Sequence, residues 1–343
     1  MLCLAVLLVG CGPKLHKQQA YVFGTLVEIT VYGQDEALAK RATDQVLSDF
    51  DRLHRTLHPW EPGALERLNA RLARATPGQP ARIALSPDIA PLLRDAARLS
   101  ELSEGLFDPA IGNLVRLWGF HTDTFESRLP EAAALSRLIA ARPAMRDLRF
   151  EGQTLVGTNP AVRLDLGGYA KGYALDLAAV TLRRMGVRHA LINIGGNVMA
   201  LGQKGNEPWR VGIQHPRRAG ALAVLALHDG EAIGTSGDYQ RFFEYGGKRY
   251  CHLIDPRTGH PADQAQAVTV VARGAQAGVM SDVASKPLFI AGPNSWQRLA
   301  QKMGIQEALF IDAQGRMTVT RALQARLRWE SSPTPGASIN VAP

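Results

Sequence analysis

The sequence contains little cysteine, and the few cysteines exclude two classes of protein. Only Cys3, Cys11 and Cys251 occur among 343 residues. Three isolated cysteines form neither a disulfide framework nor a zinc-ligand pattern. Hydrophobic residues make up 46% and charged residues 20% of the chain. These proportions are ordinary for a globular protein, and the length allows one large or two modest domains with a sizeable core.

The sequence also lacks a Walker A loop and a GxGxxG fingerprint, so neither P-loop nor Rossmann chemistry is supported. Its positive charge is not concentrated in a patch. The net charge is +8, but arginines such as Arg67, Arg71 and Arg74 lie along a helix-like segment without interleaved aromatic residues. We therefore expect no nucleic-acid binding and a mild preference for anionic ligands.

The only apolar run that resembles a targeting segment, residues 1–10, is far too short to span a bilayer. The apolar run 1–10 ends in Leu8-Val9-Gly10-Cys11, which resembles a bacterial lipobox, where the cysteine is lipidated after cleavage. The run has no basic residue in front of it, so an ordinary apolar N-terminus and a start codon placed too late remain alternatives. The lipobox predicts a lipoprotein signal and tether over 1–20. It also predicts a membrane anchor at Cys11, in the bacterial cell envelope and facing the periplasm.

Hydrophobic periodicity predicts an α+β fold of mixed helices and mainly antiparallel sheets. The alternation over 21–33 predicts a strand, and the three- and four-residue spacing over 35–58 predicts a helix. Glycines 246 and 247 predict a hairpin between strands 240–245 and 248–254. The other predicted strands include 161–166, and the other predicted helices include 169–185 and 279–291. We expect one domain over 21–330 and a disordered Ser/Pro-rich tail over 331–343.

The segment 249–259 carries the densest group of reactive side chains. It places His252, a general-base candidate, near Asp255 at a strand end that Asp-Pro terminates. Alternation along a strand puts His252 and Ile254 on one side. A solvated hairpin tip is the alternative for this segment alone. Three further glycine-flanked polar clusters favour a functional site instead.

The first of these clusters, 164–172, has paired glycines between a predicted strand and a helix. Helix N-termini bind anions, and Lys171 adds a charge suited to phosphate. The clusters 193–197 and 233–239 place small hydrogen-bond donors beside glycines at strand ends. Each alone is also compatible with a plain turn. Together the three fit a large polyphosphate ligand.

Two other segments have both a structural and a functional interpretation. The aromatic residues of 107–120, with Trp60 upstream, suit a flat ring system, although core packing is their commoner use. Asp282 opens a predicted helix, where a carboxylate serves as an N-terminal cap. It is equally suited to bind a hard cation such as magnesium.

Taken together, these segments resemble the ApbE family, the FAD:protein FMN transferases, over roughly residues 20–320. Phe23-Gly24-Thr25 resembles the family's opening Met-Gly-Thr. The segment 65–69 resembles its Ser-Glu-x-Ser-x-x-Asn helix end, and 107–120 resembles its Phe-Asp…Trp-Gly-Phe segment. The remaining signatures follow in order at 165–172, 194–196, 235–237 and 252–259.

The resemblance implies an ApbE-like fold that binds FAD, with Mg²⁺ bridging the pyrophosphate. It implies that FMN is transferred to a threonine or serine hydroxyl of an exported protein and that AMP is released. His252 would be the general base, and the Gly168 carbonyl and Asp282 would ligate magnesium. The positions assigned to FAD are Phe23, Trp60, Asn69, Leu106, Phe107, Asp108, Asp165, Lys171, Thr235, Ser236, Gly237 and Ile254.

One departure from the family pattern affects the predicted metal. Lys286 stands where the family has a metal-ligating threonine, and an ammonium cannot ligate a cation. Either Lys286 binds the pyrophosphate and replaces part of the metal's charge, or metal affinity and activity are reduced. Two alternatives to the transferase therefore stay open. One is an FAD-binding lipoprotein with weakened catalysis, and the other is an Mg²⁺-dependent FAD pyrophosphatase in which water replaces the hydroxyl.

Overall fold

The computed structural model describes residues 15–76, 78–122, 124–330 and 339–342. Over these ranges the helices are α1 Glu36–Leu57, α2 Ala64–Leu72, α3 Ala90–Leu102, α4 Gly112–Leu117, α5 Ala132–Ala141, α6 Gly167–Arg184, α7 Ala277–Ala291, α8 Trp296–Lys302 and α9 Arg321–Gln324. The strands are β1 Leu15–Val22, β2 Thr25–Tyr32, β3 Ala81–Ala84, β4 Leu148–Glu151, β5 Thr154–Gly157, β6 Ala190–Ile194, β7 Asn197–Leu201, β8 Trp209–Gln214, β9 Ala221–Leu227, β10 Glu231–Gly237, β11 Phe242–Tyr245, β12 Lys248–Cys251, β13 Ala265–Arg273, β14 Glu307–Asp312, β15 Met317–Thr320, β16 Leu327–Trp329 and β17 Ile339–Ala342.

A large sheet organises the described part of the chain. Its nine strands run in the order β1-β2-β6-β7-β10-β13-β14-β15-β17, and neighbours pair antiparallel except for the parallel pair β15 and β17. Smaller antiparallel sheets have the orders β3-β5-β4, β16-β9-β8 and β11-β12. The predicted fold class, mixed helices with mainly antiparallel sheets, is confirmed.

Both faces of the large sheet are covered, which β13 shows most clearly. Val268 and Val270 belong to the core formed with the helices, whereas Ala267 and Val271 pack into a second core with β8 and β9. Successive side chains of a strand point to opposite faces. The strand is therefore buried along almost its whole length, because helices cover one face of the sheet and a second sheet covers the other.

Helices α6 and α7 cross at two glycines. A Cβ on Gly172 would lie 2.5 Å from the Gly278 carbonyl oxygen, and a Cβ on Gly278 would meet the Gly172 carbonyl oxygen. Because the backbones touch, the Gly172 N–H donates to the Asp282 carboxylate at 2.8 Å. Asp176 accepts from the N–H groups of Gly278 and Val279. This crossing holds Asp282 beside the first turns of α6.

We expect Gly172→Ala to lower the free energy of unfolding by about 1–3 kcal/mol, because the new methyl group overpacks the crossing. Val180→Ala, at an exposed position of the same helix, should change it by less than about 0.5 kcal/mol. Urea denaturation of both variants measures the difference. Equal stabilities would show that the crossing tolerates a wider separation of the helices.

Two predictions about the chain ends are corrected where the structure describes them. The segment 21–33 is a hairpin rather than one strand. Phe23 and Gly24 form its two-residue turn with φ of 58° and 66°, as such turns require. Strand β1 therefore begins at Leu15, inside the expected tether, while residues 1–14, including Cys11, lie outside the described residues. At the other end β17 pairs with β15 and buries Ala342, so this part of 331–343 is ordered.

The predicted strand 161–166 is also wrong. Arg163 makes only an isolated bridge to Ile111 within the described residues. The backbone N–H and carbonyl of Leu164 are both paired with the Asn69 side chain, at 2.7 and 2.9 Å. The side-chain amide thus satisfies the groups that a neighbouring strand would have used.

Over the described residues, no helix has the length and hydropathy needed to cross a membrane.

Candidate active site

A cavity of about 1110 Å³ opens between the β1–β2 turn, the end of α1, the start of α6 and the chain after β12. Its volume slightly exceeds the usual range for small-molecule and cofactor sites, so it has room for a large ligand. Several residues predicted from separate parts of the sequence line it together: Phe23, Trp60, Leu106, Phe107, Asp108, Asp165, Gly168, Lys171, His252 and Ile254. Their roles remain predictions, but their convergence does not depend on any assigned role.

Aromatic side chains form one wall of the cavity. The half-buried Phe23 packs against Phe50 with ring centroids 5.8 Å apart. The Trp60 ring lies under the Arg163 guanidinium at 4.5 Å and beside His121 at 5.5 Å. Flat, apolar surfaces of this kind accommodate a ring system by stacking.

Cationic side chains gather at the other end, near the first turn of α6. The Asp165 carboxylate accepts the Gly167 N–H at 2.8 Å. Lys171 lines the cavity, and its ammonium donates no hydrogen bond to any residue that the structure describes. Burial lowers the pKa of Lys171, although the nearby Asp282 charge opposes that shift. Lys286 and Arg241 line the same region. An ammonium without a partner, next to two more cations, suits a phosphate group.

His252 lies beside these cations, and one of its ring nitrogens has no partner in the part of the chain that the structure describes. Its Nδ1 is 3.2 Å from the Arg241 carbonyl oxygen, which can only accept, so Nδ1–H donates and Nε2 keeps its lone pair. Burial, together with the Arg241 and Lys171 charges, lowers the pKa of His252 to about 3. The imidazole is therefore neutral near pH 7. Strand β12 ends at Cys251, so His252 and Ile254 face the cavity from the chain after the strand rather than from the predicted strand itself.

The lowered pKa of His252 should make the free energy of unfolding depend on pH. The unfolded chain binds a proton at His252 near pH 6.5 and the folded protein only near pH 3. The free energy of unfolding therefore falls as pH decreases across that window. We expect His252→Asn to lose less stability between pH 7 and pH 5 than the unmodified protein, as measured by urea denaturation. Every other titrating group is shared, so equal losses would contradict the lowered pKa.

Other predicted ligand residues do not line the cavity. Thr235, Ser236 and Gly237 lie in β10, whose pairing with β13 sets Thr235 opposite Thr269. The Ser236 hydroxyl pairs with the Ser285 hydroxyl at 2.8 Å and so ties α7 to the sheet. The Asn69 side chain is hydrogen-bonded to the backbone N–H and carbonyl groups of Leu164. These polar side chains stabilise the walls of the site and do not reach its interior.

Asp108 lines the cavity, but its carboxylate mainly accepts hydrogen bonds from the backbone. Its carboxylate accepts the backbone N–H groups of Ala110 and Met145 at 2.9 and 3.0 Å. Burial raises the pKa of Asp108 to about 6 in spite of these hydrogen bonds.

Several cavity residues were not predicted: His54, His58, His121, Gln240 and Arg241. The four-residue spacing of His54 and His58 at the end of the predicted helix 35–58 was an available signal for that pair, although α1 ends at Leu57.

The predicted magnesium ligands, Gly168 and Asp282, do not form a site that fits Mg²⁺. The Lys286 ammonium lies 2.5 Å from Asp282 Oδ1 and 2.7 Å from the Asp282 carbonyl oxygen. Its Cε is 3.0 Å from where a Cβ on Gly168 would lie, so the lysine fills the space between the two ligands. Magnesium requires a near-octahedral set of oxygen donors. The described residues contain no group of three His, Cys, Asp or Glu side chains that could hold a metal.

Asp282 is nevertheless ionised. Although burial opposes its ionisation, the charges of Lys286 and Lys171 keep the pKa of Asp282 below its usual value. Cys251, by contrast, is buried and donates to the Ala262 carbonyl oxygen. Burial raises the pKa of the Cys251 thiol to about 12, so it is neutral and unsuited to nucleophilic chemistry.

The fold and the cavity define an α+β protein whose ligand site joins an aromatic wall to a cationic end. The chain belongs to the ApbE family, whose sequence profile matches residues 23–310. It is 43% identical over 307 residues to the FAD:protein FMN transferase of Rhodobacter capsulatus, covering 90% of this chain but only 57% of that protein. It is 32% identical over 324 residues to the enzyme of the same name from Klebsiella pneumoniae strain 342, covering 89% of each.

Solved structures show the same fold. The apo flavinyl transferase ApbE of Pseudomonas stutzeri superposes with a TM-score of 0.78 at 28% identity, covering 93% of this chain and 98% of that one. The ApbE protein of Thermotoga maritima superposes with a TM-score of 0.81 at 26% identity, covering 93% of this chain and all of that one. The predicted family and ApbE-like fold are therefore confirmed.

Proposed function

We propose that this chain, as an FAD:protein FMN transferase, moves the FMN half of FAD to a threonine or serine hydroxyl of an acceptor protein. The observation that carries the proposal is that three features converge on one large cavity. They are an aromatic wall, the neutral His252, and the Lys171 ammonium, which has no partner among the described residues. The relatives named above support it, because they are FAD:protein FMN transferases.

In this reaction the acceptor oxygen attacks the phosphorus atom on the FMN side of the pyrophosphate. A new phosphate ester bond forms, the bond to the AMP phosphate breaks, and AMP leaves with the bridging oxygen. His252 Nε2 accepts the hydroxyl proton and later returns it to solvent. Lys171 stabilises the negative charge on the phosphate oxygens. Burial lowers the pKa of His252 most, and the Arg241 and Lys171 charges lower it further. A bound diphosphate offsets those two charges and so raises the pKa of His252 towards the range of an effective base.

A transfer assay tests the proposal. The purified protein is incubated with FAD and a peptide bearing one threonine, and the mass of the peptide is then measured by mass spectrometry. We expect the peptide to gain one FMN group while an equal amount of AMP appears. A peptide with alanine in place of threonine is the control. FMN and AMP released without any peptide would support the pyrophosphatase, and FAD retained unchanged would support the binding protein.

We also propose that the acceptor is exported and that the chain is lipid-anchored at Cys11 in the cell envelope, facing the periplasm. The lipobox-like sequence Leu8-Val9-Gly10-Cys11 supports this location. Incorporation of a tagged fatty acid in a bacterial host tests it. We expect Cys11→Ala to abolish labelling and Cys3→Ala to leave it unchanged. Labelling that persists in Cys11→Ala would contradict the anchor.

A further inference from the structure

Lys286 occupies the position in which a divalent cation would join the site. Its side chain is 16% exposed and its partner Asp282 only 2% exposed. The ammonium contacts both the carboxylate and the backbone carbonyl of Asp282. The second carboxylate oxygen accepts from Gly172. A cation entering here would have to displace a lysine that the same helix holds in place.

The ammonium of Lys286 also has capacity for a ligand. A lysine carries three donors, and two of them point to Asp282. The third has no partner among the residues that the structure describes, and the side chain lines the cavity. Lys171 contributes a second ammonium near Asp282. The two lysines thus present donors to the same part of the cavity, where an anion is the complementary ligand.

We propose that Lys286 is a built-in cation that binds the pyrophosphate of FAD in place of a divalent metal, so that transfer by this chain does not depend on Mg²⁺. The inference rests on the proposed function. It assigns to Lys286 the neutralisation of phosphate charge and to Asp282 the orientation of Lys286. The bonds made and broken are those given above, and no metal takes part in them.

The first test compares the unmodified full-length protein in excess EDTA and in millimolar Mg²⁺. We expect the FAD dissociation constant, from quenching of flavin fluorescence, and the single-turnover transfer rate to agree within about threefold between the two conditions. Calorimetric titration of Mg²⁺ alone should show no binding. Loss of FAD binding or of transfer in EDTA, with recovery on adding Mg²⁺, would overturn the proposal, and this test does not depend on any variant folding.

The second test uses paired variants. Lys286→Met keeps an unbranched side chain one atom shorter and removes the ammonium, and we expect FAD affinity to fall by at least tenfold with no recovery in Mg²⁺. Lys286→Thr supplies an oxygen donor beside Asp282, and we expect its affinity and transfer to recover when Mg²⁺ is added. Lys248→Met, at an exposed lysine paired with Asp263, is the control. Unchanged FAD affinity in both Lys286 variants would overturn the proposal.

The binding measurements separate this inference from the proposed function. If no peptide is modified under any condition, the transferase function fails. A metal-independent FAD affinity that requires Lys286 would still support the role of this lysine. If transfer occurs but only with Mg²⁺, the function stands and the role of Lys286 is wrong.

Discussion

His252→Asn should lower the rate of FMN transfer by about 10²–10⁴-fold, the contribution typical of a general base. Asparagine can still donate to the Arg241 carbonyl oxygen, as Nδ1 does now, but it has no basic nitrogen in place of Nε2. We therefore expect FAD affinity to stay within about threefold, because the hydrogen-bond donor is kept. Single-turnover transfer to the threonine peptide and quenching of flavin fluorescence measure the two quantities.

His260→Asn is the matched control for that prediction, because His260 is exposed and does not line the cavity. Its transfer rate should equal that of the unmodified protein. A loss of less than tenfold in His252→Asn would show that His252 is not the base. A parallel loss of FAD affinity would instead show that the imidazole holds the ligand.

Lys171→Met should weaken FAD binding by about 10- to 150-fold. A hydrogen bond to a charged group contributes about 1.5–3 kcal/mol, and each 1.4 kcal/mol changes affinity tenfold. Lys171 has no other partner among the described residues, so the substitution leaves no group in the protein unpaired. Riboflavin, which has no phosphate, should bind equally to the variant and to the unmodified protein.

Lys302→Met controls for the loss of one positive charge, because Lys302 is exposed and paired with Glu104. Its FAD affinity should be unchanged. If Lys171→Met weakened riboflavin and FAD binding equally, the lysine would support the shape of the cavity rather than bind phosphate. Titrations in low and moderate salt would also show a smaller salt effect in Lys171→Met, because screening acts on the missing charge.

The sequence was sufficient to predict the fold class and many of the residues that line the cavity. Alternation and helical spacing determine which residues are buried, and the glycine-flanked segments that carry Lys171 and His252 marked where a ligand approaches. The aromatic residues of 107–120 and Trp60 already suited a flat ring system, although core packing is their commoner use, and the resemblance to the ApbE family added Phe23.

Other features depend on contacts between distant residues, which no local pattern reveals. The segment 161–166 has the pattern of a strand, but the Asn69 side chain satisfies the backbone of Leu164. Thr235 and Ser236 have the composition of a ligand loop, yet β13 and α7 already use their hydroxyls. The contact of Lys286 with Asp282 is an i,i+4 pair within α7 that the sequence spacing allows, but its position beside Gly168 depends on the crossing of α6 and α7.

The central claim is that the cavity binds FAD with its pyrophosphate between the two lysines and beside His252. A crystal structure of the protein soaked with FAD in the presence of EDTA tests it most directly. We expect phosphate oxygens about 2.7–2.9 Å from the ammonium groups of Lys171 and Lys286, the distance of charge-assisted hydrogen bonds, with the flavin ring against Trp60 or Phe23. A pyrophosphate bound away from both lysines, or at the Thr235–Gly237 strand, would contradict the account.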